Sequence, residues 1–107
     1  MHEAGIAGSA LAGAMRAAVD AGEARSPRAL EVSFDPGRVA AESLRFHLEL
    51  ALRDAGFDGL TLDLAPRPVR CESCGELASA EAFLLCDTCG APLPAPVGPI
   101  AEARFAF

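Results

Sequence analysis

The feature that most constrains this chain is a pair of matched Cys-x2-Cys motifs in its second half. Cys71 and Cys74 form the first motif, Cys86 and Cys89 form the second, and a glycine directly follows each motif. Two residues between thiolates allow a tight turn that directs both sulfurs at one ion, and the glycine permits the positive φ of such a knuckle. The four cysteines therefore predict a closed tetrahedral Zn²⁺ site, in which the metal has a structural role.

Other interpretations of the cysteines fit less well. A redox Cys-x2-Cys pair normally occurs once, beside a β-α-β pattern. A set of four cysteines does not by itself exclude iron, so an iron–sulfur site is the main alternative to zinc. Between Cys71 and Cys89 the chain has acidic residues and neither arginine nor lysine. This composition argues against a zinc ribbon that binds nucleic acid.

Length and charge narrow the class of protein further. A chain of 107 residues forms one modest domain, for which a bound metal is a useful source of stability. The formal net charge of −6 disfavours a nucleic-acid partner, because phosphate binding requires a basic surface. No apolar run approaches the ~20 residues that cross a bilayer, and the start lacks the basic segment of a signal peptide. We therefore expect a cytoplasmic protein with no membrane partner, whose thiols bind metal instead of forming disulfides.

Apolar periodicity predicts two helices. The first extends from Ala4 to about Glu23, and its expected core stripe consists of Ala7, Ala10, Leu11, Ala14, Met15 and Ala18. The second extends from about Val39 to Asp54, with a core stripe of Leu44, Leu48, Ala51 and Leu52 and an apolar arc widened by Val39, Phe46 and Leu50. Such a wide arc predicts that the second helix packs on both a sheet and the other helix.

Three segments alternate apolar and polar residues, as half-buried strands do. Their inward residues are Leu30, Val32 and Phe34, then Leu60, Leu62 and Leu64, and finally Ala101, Ala103, Phe105 and Phe107. Four prolines between Pro92 and Pro99 predict an extended, stiff return to the last strand. The order of elements predicts an α+β fold with two helices on a small three-stranded sheet and a zinc-ribbon-like four-cysteine module inserted before the last strand. We divide the chain into an α+β domain of residues 1–68 and 95–107 and a zinc-binding module of residues 69–94.

The first three residues, Met1-His2-Glu3, form a second candidate metal site. The α-amine, the backbone amide of His2 and its imidazole are joined by short linkages, so all three can chelate one ion in a plane. Ni²⁺ and Cu²⁺ favour such tetragonal nitrogen sites, and Glu3 can supply a further donor. The alternative interpretation is that His2 is a mobile terminal side chain that binds nothing.

The sequence contains no recognisable catalytic arrangement. His47, the only other histidine, lies on the apolar arc of the second helix, where a core or boundary histidine is more common than a ligand. No nucleophile–base pattern and no phosphate-binding glycine loop are visible, so we do not expect an enzyme.

The chain resembles the HypA/HybF family of hydrogenase nickel-incorporation metallochaperones in three features. These are the Met-His-Glu start, the second predicted helix and the two Cys-x2-Cys motifs. Members typically begin Met-His-Glu, as here, and have a helix with a Glu-Ser/Ala-Leu-Arg-Phe core, to which residues 42–51 are similar. A strand, a zinc module and a final strand then follow. The likeness spans essentially the whole chain, although the Ala4-Gly5-Ile6 start, the shorter spacer between the cysteine motifs and the second knuckle without proline depart from the family pattern.

The resemblance implies a function for each group of residues. His2, with the amine of Met1 and with Glu3, would hold Ni²⁺ as cargo, and the four cysteines would hold structural Zn²⁺. The protein would then deliver nickel to the precursor of a [NiFe]-hydrogenase large subunit, or to a urease system, together with a nickel-handling GTPase. The competing hypothesis is a zinc-stapled protein–protein interaction adaptor that binds no nickel. Either function is compatible with a homodimer.

Overall fold

In the computed structural model, residues 2–79, 85–94 and 98–107 are described, except for the side chains of His2 and Ser79. The helices are α1 (His2–Asp20) and α2 (Ala41–Asp54). The strands are β1 (Ala29–Phe34), β2 (Thr61–Pro66), β3 (Pro68–Arg70), β4 (Leu77–Ser79) and β5 (Ala101–Ala106). This arrangement confirms the predicted α+β class, with a cysteine-bearing insertion before the last strand.

A three-stranded mixed sheet in the order β2-β1-β5 organises the fold. The central strand β1 is parallel to β2, so that Leu30 lies opposite Leu62, and antiparallel to β5, so that Leu30 also lies opposite Phe105. The parallel pair requires a crossover, which α2 supplies. Because side chains alternate along a strand, one sheet face is apolar and the other bears polar residues such as Glu31 and Asp63.

Both helices pack against the apolar face of this sheet. α1 contacts β5 and α2, and α2 also contacts β2. The buried core therefore draws on both helices and on two strands, β1 and β5; it consists of Ala7, Ala10, Leu11, Ala14, Leu30, Val32, Phe34, Val39, Leu44, Leu48, Leu52 and Ala101. The prediction that α2 packs on both a sheet and another helix is confirmed.

The bounds of α1 differ from the prediction at both ends. The helix begins at His2 and not at Ala4, so Glu3 belongs to its first turn. It ends at Asp20 because Gly22 adopts a φ of 68° and donates its N–H to the carbonyl of Val19 at 2.9 Å, a common helix stop. Although α1 has 19 residues, no helix in the described part of the chain is long and apolar enough to cross a membrane.

Three apolar residues predicted to join the core instead contact solvent. Met15, Phe46 and Leu50 are 39%, 57% and 36% exposed, respectively. The periodicity of the sequence assigned them to the core because it shows which residues form an apolar arc on a helix. It does not show how much of that arc another element covers. In the described residues, α1 and the sheet cover only part of the circumference of α2, and Phe46 and Leu50 lie on the remainder.

The connections between the sheet and the cysteine module are held by arginines. The N–H of Arg67 donates to the carbonyl of Phe34 at 2.8 Å, and its Nη2 donates to the carbonyl of Pro99 at 2.7 Å. Arg38 donates through Nη2 to the carbonyl of Gly98 at 3.0 Å. The outgoing and returning segments are thus tied to the α+β domain. The predicted stiff return over 92–99 includes residues 95–97, which lie outside the described residues.

The buried stripe of α2 predicts a clear difference between two neighbouring leucines. Leu48 is fully buried, so Leu48→Ala should lower the free energy of unfolding by about 2–5 kcal/mol through lost contacts and a cavity. Leu50→Ala makes the same chemical change on the exposed face of α2 and should cost less than about 1 kcal/mol. Urea unfolding followed by circular dichroism measures both values, and equal losses would contradict the assigned orientation of α2.

Candidate metal centre

The first Cys-x2-Cys motif forms a tight turn between β3 and β4. The N–H of Cys71 donates to the carbonyl of Glu76 at 2.9 Å, and the N–H of Gly75 donates to the carbonyl of Cys71 at 2.9 Å. Gly75 has a φ of 79°, which a residue with a β-carbon adopts only with strain. The glycine after the motif is therefore required by the backbone of the turn, as the sequence predicted.

The second motif repeats this geometry. Leu85 and Pro92 form an antiparallel bridge at its base. The N–H of Cys86 donates to the carbonyl of Ala91 at 2.8 Å, the N–H of Gly90 donates to the carbonyl of Cys86 at 2.8 Å, and Gly90 has a φ of 77°. Both knuckles thus share one hydrogen-bond pattern, which the spacing of cysteines and glycine specifies locally.

The two knuckles bring all four thiols into one cluster. The Sγ atoms of Cys71, Cys74, Cys86 and Cys89 all lie within 4.8 Å of one another. The Sγ atoms of Cys71 and Cys89 are 3.6 Å apart, and those of Cys74 and Cys86 are 3.7 Å apart. A tetrahedral zinc ion with Zn–S bonds of about 2.3 Å places its sulfurs roughly 3.8 Å apart. The four cysteines are therefore positioned to bind one metal ion such as zinc.

The cysteines also form much of the core of their own module. Cys71 and Cys86 are 0% and 3% exposed, whereas Cys74 and Cys89 are exposed. The remaining buried residues of this cluster are Ala78 and Leu93, with Val69 and Ala91 packed partly against them. The described residues of the module bury little apolar surface, so we expect the module to depend on a metal ion for its stability.

Backbone hydrogen bonds lower the pKa of the Cys86 thiol. The N–H groups of Cys89 and Thr88 donate to its sulfur and, together with bonds from neighbouring thiols, lower its pKa to about 6. Partial positive charge on these N–H groups stabilises the thiolate. This sulfur is therefore already ionised at neutral pH.

Two other thiols hold their protons more tightly. A backbone N–H of Glu76 lowers the pKa of Cys74, but desolvation and the neighbouring thiols outweigh it and raise the pKa to about 12. The N–H of Ala91 acts in the same way on Cys89, whose pKa is also raised by desolvation and by nearby sulfur. Crowded sulfurs cannot all be ionised without a cation between them, and a divalent metal removes this conflict.

The structure places only part of the N-terminal candidate site. Glu3 is half-buried and lies beside an open cleft of about 750 Å³. This cleft is lined by Phe34, residues 36–42, Leu64 and Pro66, which surround the carboxyl ends of β1 and β2. Met1 and the side chain of His2 lie outside the described residues. Of the predicted nickel ligands, Glu3 is thus the one whose surroundings are described.

Residues 35–38 form a polar network that the sequence patterns described above did not predict. Asp35 is only 4% exposed, and its carboxylate accepts hydrogen bonds from the N–H of Gly37 at 3.0 Å and from Nε of Arg38 at 2.6 Å. An aspartate that begins a turn often bonds the backbone two residues later, so the Asp-Pro-Gly segment did contain a signal. The network fixes the loop that forms one wall of the cleft.

His47 lies apart from the sulfur cluster on α2. It is half-buried and packs edge-to-face on Phe46, with ring centroids 5.3 Å apart. This position fits the prediction of a boundary histidine.

Models of known protein families and the sequences of curated proteins were compared with the chain, and none of them matches it. The likeness to nickel metallochaperones therefore depends on the motifs themselves.

We predict that removing the metal unfolds the cysteine module but leaves the α+β domain folded. The two hydrophobic clusters have no residue in common, so a zinc chelator should make amide exchange fast within 69–79 and 85–93 while Leu30 and Leu48 stay protected. Cys74→Ser should cause the same loss together with the loss of zinc. Ser73→Ala, a change within the same knuckle, should retain both. Stoichiometric zinc in Cys74→Ser would refute a four-thiolate site.

Zinc binding should also release protons. At neutral pH, Cys86 is ionised, whereas Cys74, with a pKa of about 12, and Cys89, with its raised pKa, hold protons that zinc displaces. At least those two protons should leave per zinc bound, and zinc affinity should increase with pH. Below a pH of about 6, Cys86 also takes up a proton, so affinity should fall more steeply there. Calorimetry in buffers of different ionisation enthalpy measures the release, and pH-independent binding would contradict it.

Proposed function

We propose that this protein is a nickel metallochaperone, with Ni²⁺ as cargo at its N-terminus and Zn²⁺ as a structural ion in the cysteine module. The observation that carries the proposal is that α1 begins at His2 and holds Glu3 beside an open cleft. The donors expected from Met1-His2-Glu3 then belong to the end of a packed helix.

The start of a helix suits the proposed chelate. The first four N–H groups of an α-helix have no intrahelical partner, so the amide of His2 has no helical hydrogen bond to lose. Ni²⁺ displaces the proton of such an amide and uses its nitrogen as a ligand. The amine of Met1 and the imidazole of His2 would complete the nitrogen set, with Glu3 as the adjacent oxygen donor.

The same location keeps the binding of nickel reversible. The N-terminus of a helix carries roughly half a positive elementary charge, which opposes a bound cation. The carboxylate of Glu3 compensates for part of this charge. A carrier must release its cargo, and this balance favours moderate affinity over a closed, tight site.

The zinc module contributes to the cleft through its connections. Arg38 links the buried Asp35 to the carbonyl of Gly98 on the returning segment, and Arg67 links the outgoing segment to Pro99. Arg38 also lines the cleft beside Glu3. A folded module thus supports the loop that forms one wall of the proposed nickel site.

The partners follow from the resemblance described above. A nickel-handling GTPase would supply or accept the ion, and the precursor of a [NiFe]-hydrogenase large subunit, or a urease system, would be the client. The cleft beside Glu3 is the surface on which such a transfer would occur.

One observation favours a second function, a zinc-stapled adaptor without nickel. Four large apolar side chains on the two helices are exposed, with Met15 at 39%, Val19 at 76%, Phe46 at 57% and Leu50 at 36%. Exposed apolar side chains are typical of surfaces that bind other proteins. An adaptor would use these residues and would not need His2.

A nickel titration distinguishes the two functions. We expect zinc-loaded protein whose first residue is an unmodified Met1 to bind one Ni²⁺, and His2→Ala to lose this binding because the imidazole is gone. An extension of several residues before Met1 should also abolish it, since the extension moves the amine too far from the imidazole of His2 for both to chelate one ion. His47→Ala is the matched control and should bind nickel normally. Calorimetry and the absorption of square-planar nickel report the result.

Zinc content and the circular dichroism spectrum should be the same in all four proteins. Nickel binding that survives both the His2→Ala substitution and the extension before Met1 would rule out the chelate and favour the adaptor.

A further inference from the structure

We infer that the cysteine module is a peroxide-responsive switch, in which oxidation joins the two knuckles through disulfides and expels the zinc ion. The inference rests on zinc in the four-thiol cluster and is independent of nickel at the N-terminus. Its basis is the unequal exposure of the four cysteines and the way in which their sulfurs are paired across the cluster.

Each knuckle presents one cysteine to solvent and buries the other. Cys74 and Cys89, the second cysteines of their motifs, are exposed, while Cys71 and Cys86 are 0% and 3% exposed. Oxidation of a thiolate depends on its access to the oxidant as well as on its charge. A small hydroperoxide therefore meets Cys74 or Cys89 first.

Each exposed sulfur lies next to a buried sulfur of the opposite knuckle. The Sγ atoms of Cys89 and Cys71 are 3.6 Å apart, and those of Cys74 and Cys86 are 3.7 Å apart. An S–S bond is about 2.05 Å long, so each pair needs to close by less than 2 Å. This arrangement favours disulfides between the knuckles. In each pair, the exposed cysteine is oxidised first and the buried cysteine then forms the disulfide with it.

The chemistry balances with hydrogen peroxide as the oxidant. The exposed thiolate attacks one peroxide oxygen, the O–O bond breaks, and a sulfenic acid and hydroxide form. The buried thiolate of the opposite knuckle then attacks that sulfur, the S–S bond forms, and a second hydroxide leaves. Two thiolates have lost two electrons, and the two hydroxides take up two protons to become water. The ion retains two of its four ligands and dissociates.

Loss of the ion removes the core of the module. Cys71 and Cys86 are two of the four buried residues of this cluster, beside Ala78 and Leu93. Disulfide formation draws their sulfurs away from the positions that zinc held. The apolar cluster of the α+β domain contains none of these residues, so oxidation should leave the core of that domain folded.

The test uses the zinc-loaded protein, whose zinc content is measured first. One equivalent of hydrogen peroxide per zinc should release zinc, detected by a colorimetric chelator, and should add no oxygen to the mass of the protein. Dimedone present during the reaction should label Cys74 or Cys89. Later addition of dithiothreitol and Zn²⁺ should restore both the zinc content and the amide protection of the module.

Disulfide mapping identifies the pairing directly. Cleavage at Arg70, Glu72, Glu76 and Asp87 separates all four cysteines into different peptides. With one equivalent of hydrogen peroxide we expect one disulfide per protein, either Cys71–Cys89 or Cys74–Cys86, and with two equivalents we expect both.

Three results would each overturn the inference. They are zinc retained at this dose of peroxide, dimedone found first on a buried cysteine, and disulfides confined within the Cys-x2-Cys motifs. A protein purified without stoichiometric zinc would overturn the zinc assignment itself, whereas failure of nickel binding would leave this switch unaffected.

Discussion

The convergence of four thiols on one point is the interaction on which the cysteine module depends. Among the described residues of the module, four form the buried cluster, and two of them, Cys71 and Cys86, are predicted metal ligands. The hydrophobic effect alone does not stabilise so small a unit, whereas a divalent ion bonded to four sulfurs crosslinks both knuckles. We therefore expect metal binding and folding to be coupled in the cysteine module, so that removal of the ion unfolds it.

The α+β domain obtains its stability differently, and the two parts meet at a small polar junction. Leu30, Leu44 and Leu48 are fully buried between β1 and the helices, without help from a metal. At the junction, Arg38 and Arg67 donate to carbonyls of the returning segment. Asp35, which is almost fully buried, anchors Arg38 through an ion pair of 2.6 Å. The loop that carries Asp35 is thus where the module, the sheet and the cleft beside Glu3 come together.

The sequence predicted those features that are determined locally. The Cys-x2-Cys-Gly spacing specifies a turn, and strict alternation specifies the inward faces of β1, β2 and β5. Features that depend on distant parts of the chain were harder to predict. An example is the set of apolar residues Met15, Phe46 and Leu50. The local sequence around each of them does not show whether another helix or strand packs over it. The network of Asp35 and Arg38 was missed because its third member, Gly98, is 60 residues away from Arg38.

The two proposed metal sites differ in the type of their ligands and in their structure. These differences would direct zinc to one site and nickel to the other. Thiolates are soft ligands that suit zinc, and four of them would leave a zinc ion no open coordination position, which favours retention. The donors expected from Met1-His2-Glu3 are nitrogens and oxygens near the start of α1, where the helix dipole would oppose a bound cation and favour exchange. A four-coordinate sulfur cage and a terminal chelate thus differ in affinity, metal preference and accessibility. Of the two, the sulfur cage is suited to hold the structure and the terminal site is suited to pass its ion on.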